Sequence, residues 1–377
     1  VKEATATIWN EDCIRGLHER VADNSVHLTV TSIPFEELFT YSGSAEDVGN
    51  NGSTIDIRAG RFALNMRFVV DQLLRVTAPG CNVCIHIQQL LAYKVQHGFM
   101  GRRDFNGAMR DVFRAGGFDF IGEFVIQKNP QAQAQRQQLH SLMFVTGKRN
   151  ANMLAPCPND YVLIFQKPGE CEHPVRAIYS DYAEQMTRTE WAASEGYESE
   201  GVDGQPNLGP DEGYQDYLKW YREYKKDRRI ARTHNAAGWL STEDWIRDAH
   251  GIWTDILEVD VLDGARSKHL KEDEREPHVC PLQLEVVRRC VQLYSNPISI
   301  QPDVTVLDPF MGIGSVAWVC LGAASPTTKS VLHAPRNVLG FELKSSYARQ
   351  ALANVKQAQA VVKAAEKHQH PLLAALD

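Results

Sequence analysis

Two short segments at opposite ends of the 377-residue chain carry residue types suited to chemistry: Thr31-Ser32-Ile33-Pro34-Phe35, and Asp308-Pro309-Phe310-Met311-Gly312-Ile313-Gly314-Ser315. In the first, Pro34 excludes the α conformation at Ile33 and holds it extended. The carbonyl oxygens before it then face outward and can accept hydrogen bonds from an amino group. Ser32 adds another oxygen, and Phe35 offers a flat face for stacking. A base flipped out of duplex DNA requires this pairing of stacking with edge recognition, because its target atom is out of reach inside the stack.

In the second segment a buried strand ends at Asp308, Pro309 stiffens the exit, and Gly312 and Gly314 let the backbone turn tightly where a ligand approaches. Ser315 then opens a helix. The segment is neither a full G-x-G-x-x-G nor a phosphate loop, since no Lys follows the last Gly. A phosphate-rich ligand is therefore disfavoured relative to a less charged, nucleotide-like one; an ordinary strand–turn–helix bend is the plain alternative. The next strand ends in Gly340-Phe341-Glu342, where an acid can accept hydrogen bonds from both hydroxyls of a ribose. The long spacing from Asp308 to Glu342 is taken up by the unpatterned stretch Ala323–Asn337.

These segments need a scaffold, and the pattern around them predicts an α/β sheet. Val26–Thr31 reads as a short central strand, followed by a polar loop over a site at Tyr41–Gly60. Asn65–Val76 has helical spacing, and Pro79-Gly80 turns the chain into a strand at Val83–Ile87. A helix at Phe105–Ala115 precedes strands at Phe118–Ile126 and Leu139–Thr146, around the Gln-rich segment Gln131–Gln138 (surface helix, loop or recognition element), and at Tyr161–Phe165. Pro168–Gly251, rich in Trp and Tyr and poor in strand alternation, reads as an inserted helical or irregular module. The sheet resumes at Val304–Leu307 and Val338–Phe341, with helices at Ser315–Leu321 and Ser346–His368.

Composition narrows the class. A hydrophobic content of 43% fits a globular protein, and neither an export signal nor an apolar run of membrane-spanning length is present, so a cytoplasmic location without membrane contact is the expectation. A net charge of −7 argues against unspecific coating of nucleic acid while leaving room for a basic cleft. Residues 181–213 hold nine acids and one Arg, whereas Arg222, Lys225, Lys226, Arg228, Arg229 and Arg232 crowd the segment after, as an exposed helix face or a phosphate contact. Eight cysteines are too few for a disulfide scaffold, and Cys81 and Cys84, without a second Cys-x-x-Cys, read as buried thiols rather than metal ligands.

Taken together, the two segments resemble the motifs of the S-adenosylmethionine-dependent DNA amino-methyltransferases in their permuted β-type order. In that family a Ser/Asp/Asn-Pro-Pro-Tyr motif precedes the target-recognition region and Asp-Pro-Phe-x-Gly-x-Gly follows it. Ser32-Ile33-Pro34-Phe35 departs from the first by Ile33 and Phe35, and Asp308 to Gly314 matches the second closely. Trp9-Asn10-Glu11-Asp12-Cys13, Pro277-His278-Val279-Cys280-Pro281-Leu282, Lys128-Asn129-Pro130 and the Glu342-to-Tyr347 spacing are further matches.

The resemblance implies a Rossmann-like methyltransferase fold with a mostly parallel seven-stranded sheet and a circularly permuted motif order. Residues 1–167 would form the N-terminal catalytic part with the target-base site, 168–251 a target-recognition or accessory module, and 252–377 the C-terminal part with the cofactor site. S-adenosyl-L-methionine is the implied cofactor, contacted by Asp12 at the adenine, His278 at the methionine part, Asp308, Pro309, Phe310, Gly312, Gly314 and Ser315 at the bend, and Glu342 at the ribose. Ser32 and the Ile33 carbonyl would align the amino nitrogen of a flipped base, with Pro34 shaping the loop, Phe35 stacking, and no general base near neutrality required. Lys128 would meet DNA phosphate, although an exposed surface lysine fits equally, and Tyr347 would pack.

The implied partner is double-stranded DNA in a bacterial cell or phage-infected host; a homodimer and a restriction or defence-system partner are compatible. Ser rather than Asp at position 32 favours cytosine-N4 over adenine-N6. RNA or protein-amide methylation and a non-catalytic DNA-binding descendant are the alternatives. The carbon-5 cytosine chemistry is disfavoured because Pro156-Cys157-Pro158 lacks the accompanying family arrangement.

Overall fold

The structure is a computed structural model that describes residues 3–36, 44, 46–49, 56–136, 142–175, 177–178, 219, 240–262, 281–332 and 334–369. The basic run Arg222–Arg232, His278 and three of the tryptophans expected in the inserted module, Trp191, Trp220 and Trp239, lie outside the described residues. The chain divides into two compact units, 1–174 with 250–377, and 175–249. In the second, a two-residue strand Ala177–Ile178 pairs in parallel with Leu240–Ser241, which leads into the helix Thr242–Asp248.

The first unit is built on one sheet of eight strands: β1 (Ala6–Trp9), β2 (Val26–Ser32), β3 (Thr77–Gln88), β4 (Asp119–Ile126), β5 (Asp160–Gln166), β6 (Ile252–Trp253), β7 (Thr305–Asp308) and β8 (Asn337–Phe341). Their spatial order is β1-β8-β7-β2-β3-β5-β4-β6. The first five in that order run parallel, and β5 is antiparallel to both β3 and β4. The central strands are apolar on both faces, as expected when helices cover each side: Leu28, Val30, Val83, Ile85, Val306 and Leu307 are all buried.

The covering helices follow from their spacing. Along α1 (Cys13–Arg20) and α2 (Arg61–Val76) the buried faces are Cys13 and Leu17, and Phe62, Met66, Val69, Val70, Leu73 and Val76. In α3 (Phe105–Ala115) Asp104 caps the start by accepting from Gly107 N at 2.9 Å, and Phe105, Met109, Val112 and Phe113 turn inward. Later in the chain come α4 (Leu284–Tyr294), α5 (Ser315–Cys320) and α6 (Ser345–Gln369).

Three expectations are corrected. The strand expected at Leu139–Thr146 is a helix over Phe144–Arg149, with 137–141 outside the described residues. No residue of this helix is buried, and Phe144 and Val145 stay exposed, so there is no core face here for a half-buried strand to cover. Pro79-Gly80 does not precede β3 but lies inside it, where Gly80 at φ 71° absorbs an irregularity in the pairing with β2. The sheet has eight strands rather than seven because Trp253, stacked on Phe124 at 4.5 Å between ring centroids, anchors a two-residue edge strand.

β7 is made late in the chain yet lies between β8 and β2. The parallel strands therefore bring Ser32, Asp308, Glu342 and the segment after Trp9 to the same C-terminal edge, at the point where the strand order reverses. Ligands of open α/β sheets bind at such an edge.

Candidate active site

At the C-terminal edge opens a cleft, continuous with solvent, whose walls include Asp12, Ser32, Ile33, Pro34, Asp308, Gly312 and Glu342.

One side of the cleft is shaped by main chain. Gly312 and Gly314 take φ of 54° and 94°, which bends the chain between β7 and α5. A Cβ on Gly314 would come within 3.3 Å of Ala351 on α6, so the bend is also a close approach. Glu342, just past β8, accepts from Gly312 N at 2.7 Å and from Lys344 N at 2.8 Å, one bond to each carboxylate oxygen. Asn10 donates to the carbonyls of Glu342 and Leu343 and fixes the same corner from β1. Asp12 caps α1 by accepting from Arg15 N at 2.9 Å.

Asp308 is buried and faces the other strand end: Thr31 Oγ1 donates to it at 2.6 Å and Phe310 N at 3.1 Å. Burial pushes both Asp308 and Glu342 up to about 7, against the opposing pull of these hydrogen bonds. A buried carboxylate at that value is poised to be ionised by a ligand that donates hydrogen bonds to it.

The other side is held by side chains from three strands. Ser32 Oγ lies 3.1 Å from His86 Nδ1, and His86 Nε2 lies 3.1 Å from Asp160 Oδ2, which also receives Lys128 Nζ at 2.6 Å. Register explains the alignment. Ser32 pairs with His86 across β2 and β3, and His86 pairs with Val162 across β3 and β5, so Asp160, two residues along, shares its face. Ile126 pairs with Asp160, which brings Lys128 two residues later to the same place. His86, Asp160 and Lys128 are all buried. Burial alone would raise the Asp160 carboxyl, but the His86 ring and the Lys128 ammonium hold it below the usual range. Beneath Ser32–Phe35, Glu36 at φ 49° forms a buried ion pair with Arg103, whose Nε also donates to Leu91 O at 3.3 Å.

The sequence-predicted residues are thus largely gathered in one place: Ser32, Ile33, Pro34, Asp12, Asp308, Pro309, Phe310, Gly312, Ser315 and Glu342 all line the cleft, with Gly314 in the bend behind it. Two placements differ from expectation. Phe35 is only 3% exposed and packs edge-on against His86 and Phe105, so its ring belongs to the core and offers no face to the cleft. Lys128 is neither an exposed lysine nor a phosphate contact, because Asp160 holds it inside. Tyr347 is buried, with Lys344 Nζ 4.2 Å from its ring centroid. Cys84 is buried, and Cys81 Sγ lies 3.8 Å from Cys171 Sγ.

The sequence pattern of the family described as DNA methylase, covering both N6 and N4 types, matches residues 26–353. The chain belongs to that family. Among solved structures, a putative DNA modification methylase from Thermus thermophilus, complexed with S-adenosyl-L-methionine, is similar at 18% identity over 95% of this chain and 94% of that one, with a TM-score of 0.51. The same Thermus protein in a second crystal structure gives 18% identity, 95% of each chain and again 0.51. The cytosine-N4-specific PvuII DNA methyltransferase is similar at 11% identity over 96% and 92%, with a TM-score of 0.47. The Thermus likeness shows the shared fold. No curated protein matches the chain.

S-adenosyl-L-methionine is the cofactor of this methylase, and the chain's residues fit it. Each oxygen of Glu342 takes one backbone N–H and keeps acceptor capacity for a hydroxyl, and the bend at Gly312 lines the same cleft.

His86, Asp160, Glu36 and Arg103 complete the site and had no role from the sequence, and Lys128 joins them in place of the phosphate contact or surface position expected for it. A signal existed for three of them: His86 interrupts the apolar run Val83–Ile87, Asp160 is an acid at the mouth of a core strand, and Lys128 follows the end of another. For the Glu36–Arg103 pair no local pattern announces a partner so far along the chain.

Proposed function

We propose that this methylase transfers the methyl group of S-adenosyl-L-methionine to an exocyclic amino nitrogen of a base flipped out of double-stranded DNA, cytosine-N4 ahead of adenine-N6. The observation that carries the reading is that Ser32 and Ile33, at the end of β2, open into the same cleft as Gly312 and Glu342. Bound there, the cofactor supplies an electrophilic sulfonium methyl group. Ser32 Oγ and the Ile33 carbonyl accept the two amino hydrogens and turn the nitrogen lone pair toward the methyl, so the residues act mainly by alignment, worth up to about 7–11 kcal/mol in favourable systems. Glu342 takes the ribose hydroxyls, Asp12 the adenine and His278 the methionine part, while Asp308 and the glycine bend hold the cofactor's shape.

Phe35 supports this arrangement from behind, by packing His86 and the Ser32–Pro34 turn. Residues 168–251 serve target recognition, and the order of the motifs, target site first and cofactor bend last, is that of a circular permutation. Ser at position 32, where an adenine-N6 enzyme of the resembled type carries Asp, favours cytosine.

Incubation of the purified protein with labelled S-adenosyl-L-methionine and duplex DNA of varied sequence, followed by digestion to nucleosides, tests the reading. N4-methylcytosine is the expected product. N6-methyladenine alone would reverse the base preference, and no transfer across a diverse pool, with cofactor binding verified, would sink the reading.

A further inference from the structure

The chain Ser32–His86–Asp160–Lys128 has a direction. The Asp160 carboxylate is acceptor-only and takes both its donors, His86 Nε2 and Lys128 Nζ, on the same oxygen. His86 Nε2 must therefore carry its hydrogen, and in the neutral ring Nδ1 is bare. The Ser32 hydroxyl, 3.1 Å away, donates its single hydrogen to that nitrogen, which leaves only lone pairs facing the cleft.

We propose that His86, held by Asp160 and Lys128, is a positioning residue that makes Ser32 a hydrogen-bond acceptor toward the cleft and takes up, through Ser32, the proton that amino methylation releases. This rests on the reading of the substrate as an amino group. Ser32 so polarised accepts from an amino group and repels an oxo group in its place, which distinguishes cytosine from thymine, or adenine from its deaminated form.

The step balances. A nitrogen–carbon bond forms as the methyl–sulfur bond breaks, and the positive charge of the sulfonium passes to the nitrogen. The nitrogen proton then moves to Ser32 Oγ as the serine proton moves to His86 Nδ1, which leaves a neutral methylamino group and an imidazolium beside Asp160. Lys128 holds Asp160 from the other side and so fixes the carboxylate against which the imidazolium forms. Among the described residues, the groups facing His86 are Ser32 from β2, Asp160 from β5 with Lys128 behind it, and the Phe35 ring.

The test uses the full chain labelled with 15N-histidine. His86→Asn assigns the resonance, and cofactor binding by every variant serves as the folding control. The expected neutral tautomer has the hydrogen on Nε2 and a bare Nδ1 that accepts from Ser32. An Nδ1–H tautomer overturns the proposal.

With DNA and bound cofactor, His86→Asn places an amide oxygen near Nδ1 that accepts from Ser32 but cannot take its proton. The single-turnover rate is expected to fall about 100-fold with the DNA KM little changed, as loss of a positioned proton acceptor does. An unchanged rate in His86→Asn overturns the proton role. Absence of transfer by the wild type, with the expected tautomer present, sinks the amino-substrate reading and leaves the polarity of Ser32 standing.

Discussion

On the proposed cofactor side of the cleft the main chain does most of the holding: Gly312 N and Lys344 N reach Glu342, Phe310 N reaches Asp308, and glycine torsions set the bend. On the proposed target side, side chains hold side chains, as Ser32, His86, Asp160 and Lys128 pass hydrogen bonds across three strands and a buried Glu36–Arg103 pair braces the turn below. A main-chain site depends on few residue identities and on torsions, so it tolerates drift around it. A side-chain relay depends on every member, because removal of one partner strands another in a dry interior.

The sharpest way to break this comparison is Ser32→Ala. The substitution is expected to lower single-turnover transfer by about 100-fold or more while cofactor affinity holds, consistent with the alignment it removes, and to cost about 1–3 kcal/mol of stability because buried His86 Nδ1 loses its partner. Equal losses in cofactor affinity would merge the two sides into one. Next, Glu342→Ala should weaken cofactor binding by roughly tenfold to a hundredfold, the size expected for one or two hydrogen bonds to a charged group at about 1.5–3 kcal/mol each. Isothermal titration reads this directly, and unaffected affinity would remove Glu342 from the ribose site.

Phe35→Ala separates core from stacking. A ring buried against His86 and Phe105 predicts a loss of about 3–5 kcal/mol in unfolding free energy, measured by denaturant, with the milder Phe35→Leu retaining most transfer activity. A base-stacking ring would instead raise the DNA KM without loss of stability.

The smallest effect is in pH. Asp308 and Glu342, both pushed up to about 7 by burial, contribute stability that is complete below the ordinary carboxylate range and lost as pH rises through 7. Hydroxyl donors favour the carboxylate form of Glu342, so cofactor affinity should run the opposite way and rise between pH 6 and 8 by up to about tenfold, one pKa unit of linkage. Flat affinity over that range, with the melting temperature still falling, would mean that the ligand leaves the ionisation of Glu342 untouched.

The contrast also explains what could be read from the chain. Glycines, a proline and an acid at a strand end are local signals with local causes, so the bend and Glu342 were legible, as were helices such as Phe105–Ala115 whose apolar spacing is complete within one turn of the next. His86, Asp160 and Lys128 acquire meaning only through register between strands distant in sequence, and Lys128 read alone looks like any surface lysine. Phe35 shows the same limit: its chemistry suits stacking, and only the position of Phe105 turns it inward. The segment around Thr146 has the composition of a strand, but none of its helical residues is buried, and that lack of a core face is not legible locally.

The central position of Thr305–Asp308 has a consequence for the birth of the protein. A ribosome releases β2 long before β7, so the edge of Val26–Ser32 waits unpaired through most of synthesis and closes only when the late strand slides in beside it. Growing chains are thereby exposed to aberrant strand pairing for most of their elongation time, and any chain truncated before Asp308 lacks the acceptor that holds Thr31 at the cleft. Nearly the whole chain must therefore leave the ribosome before Thr31 on β2 and Asp308 on β7 can meet at the cleft.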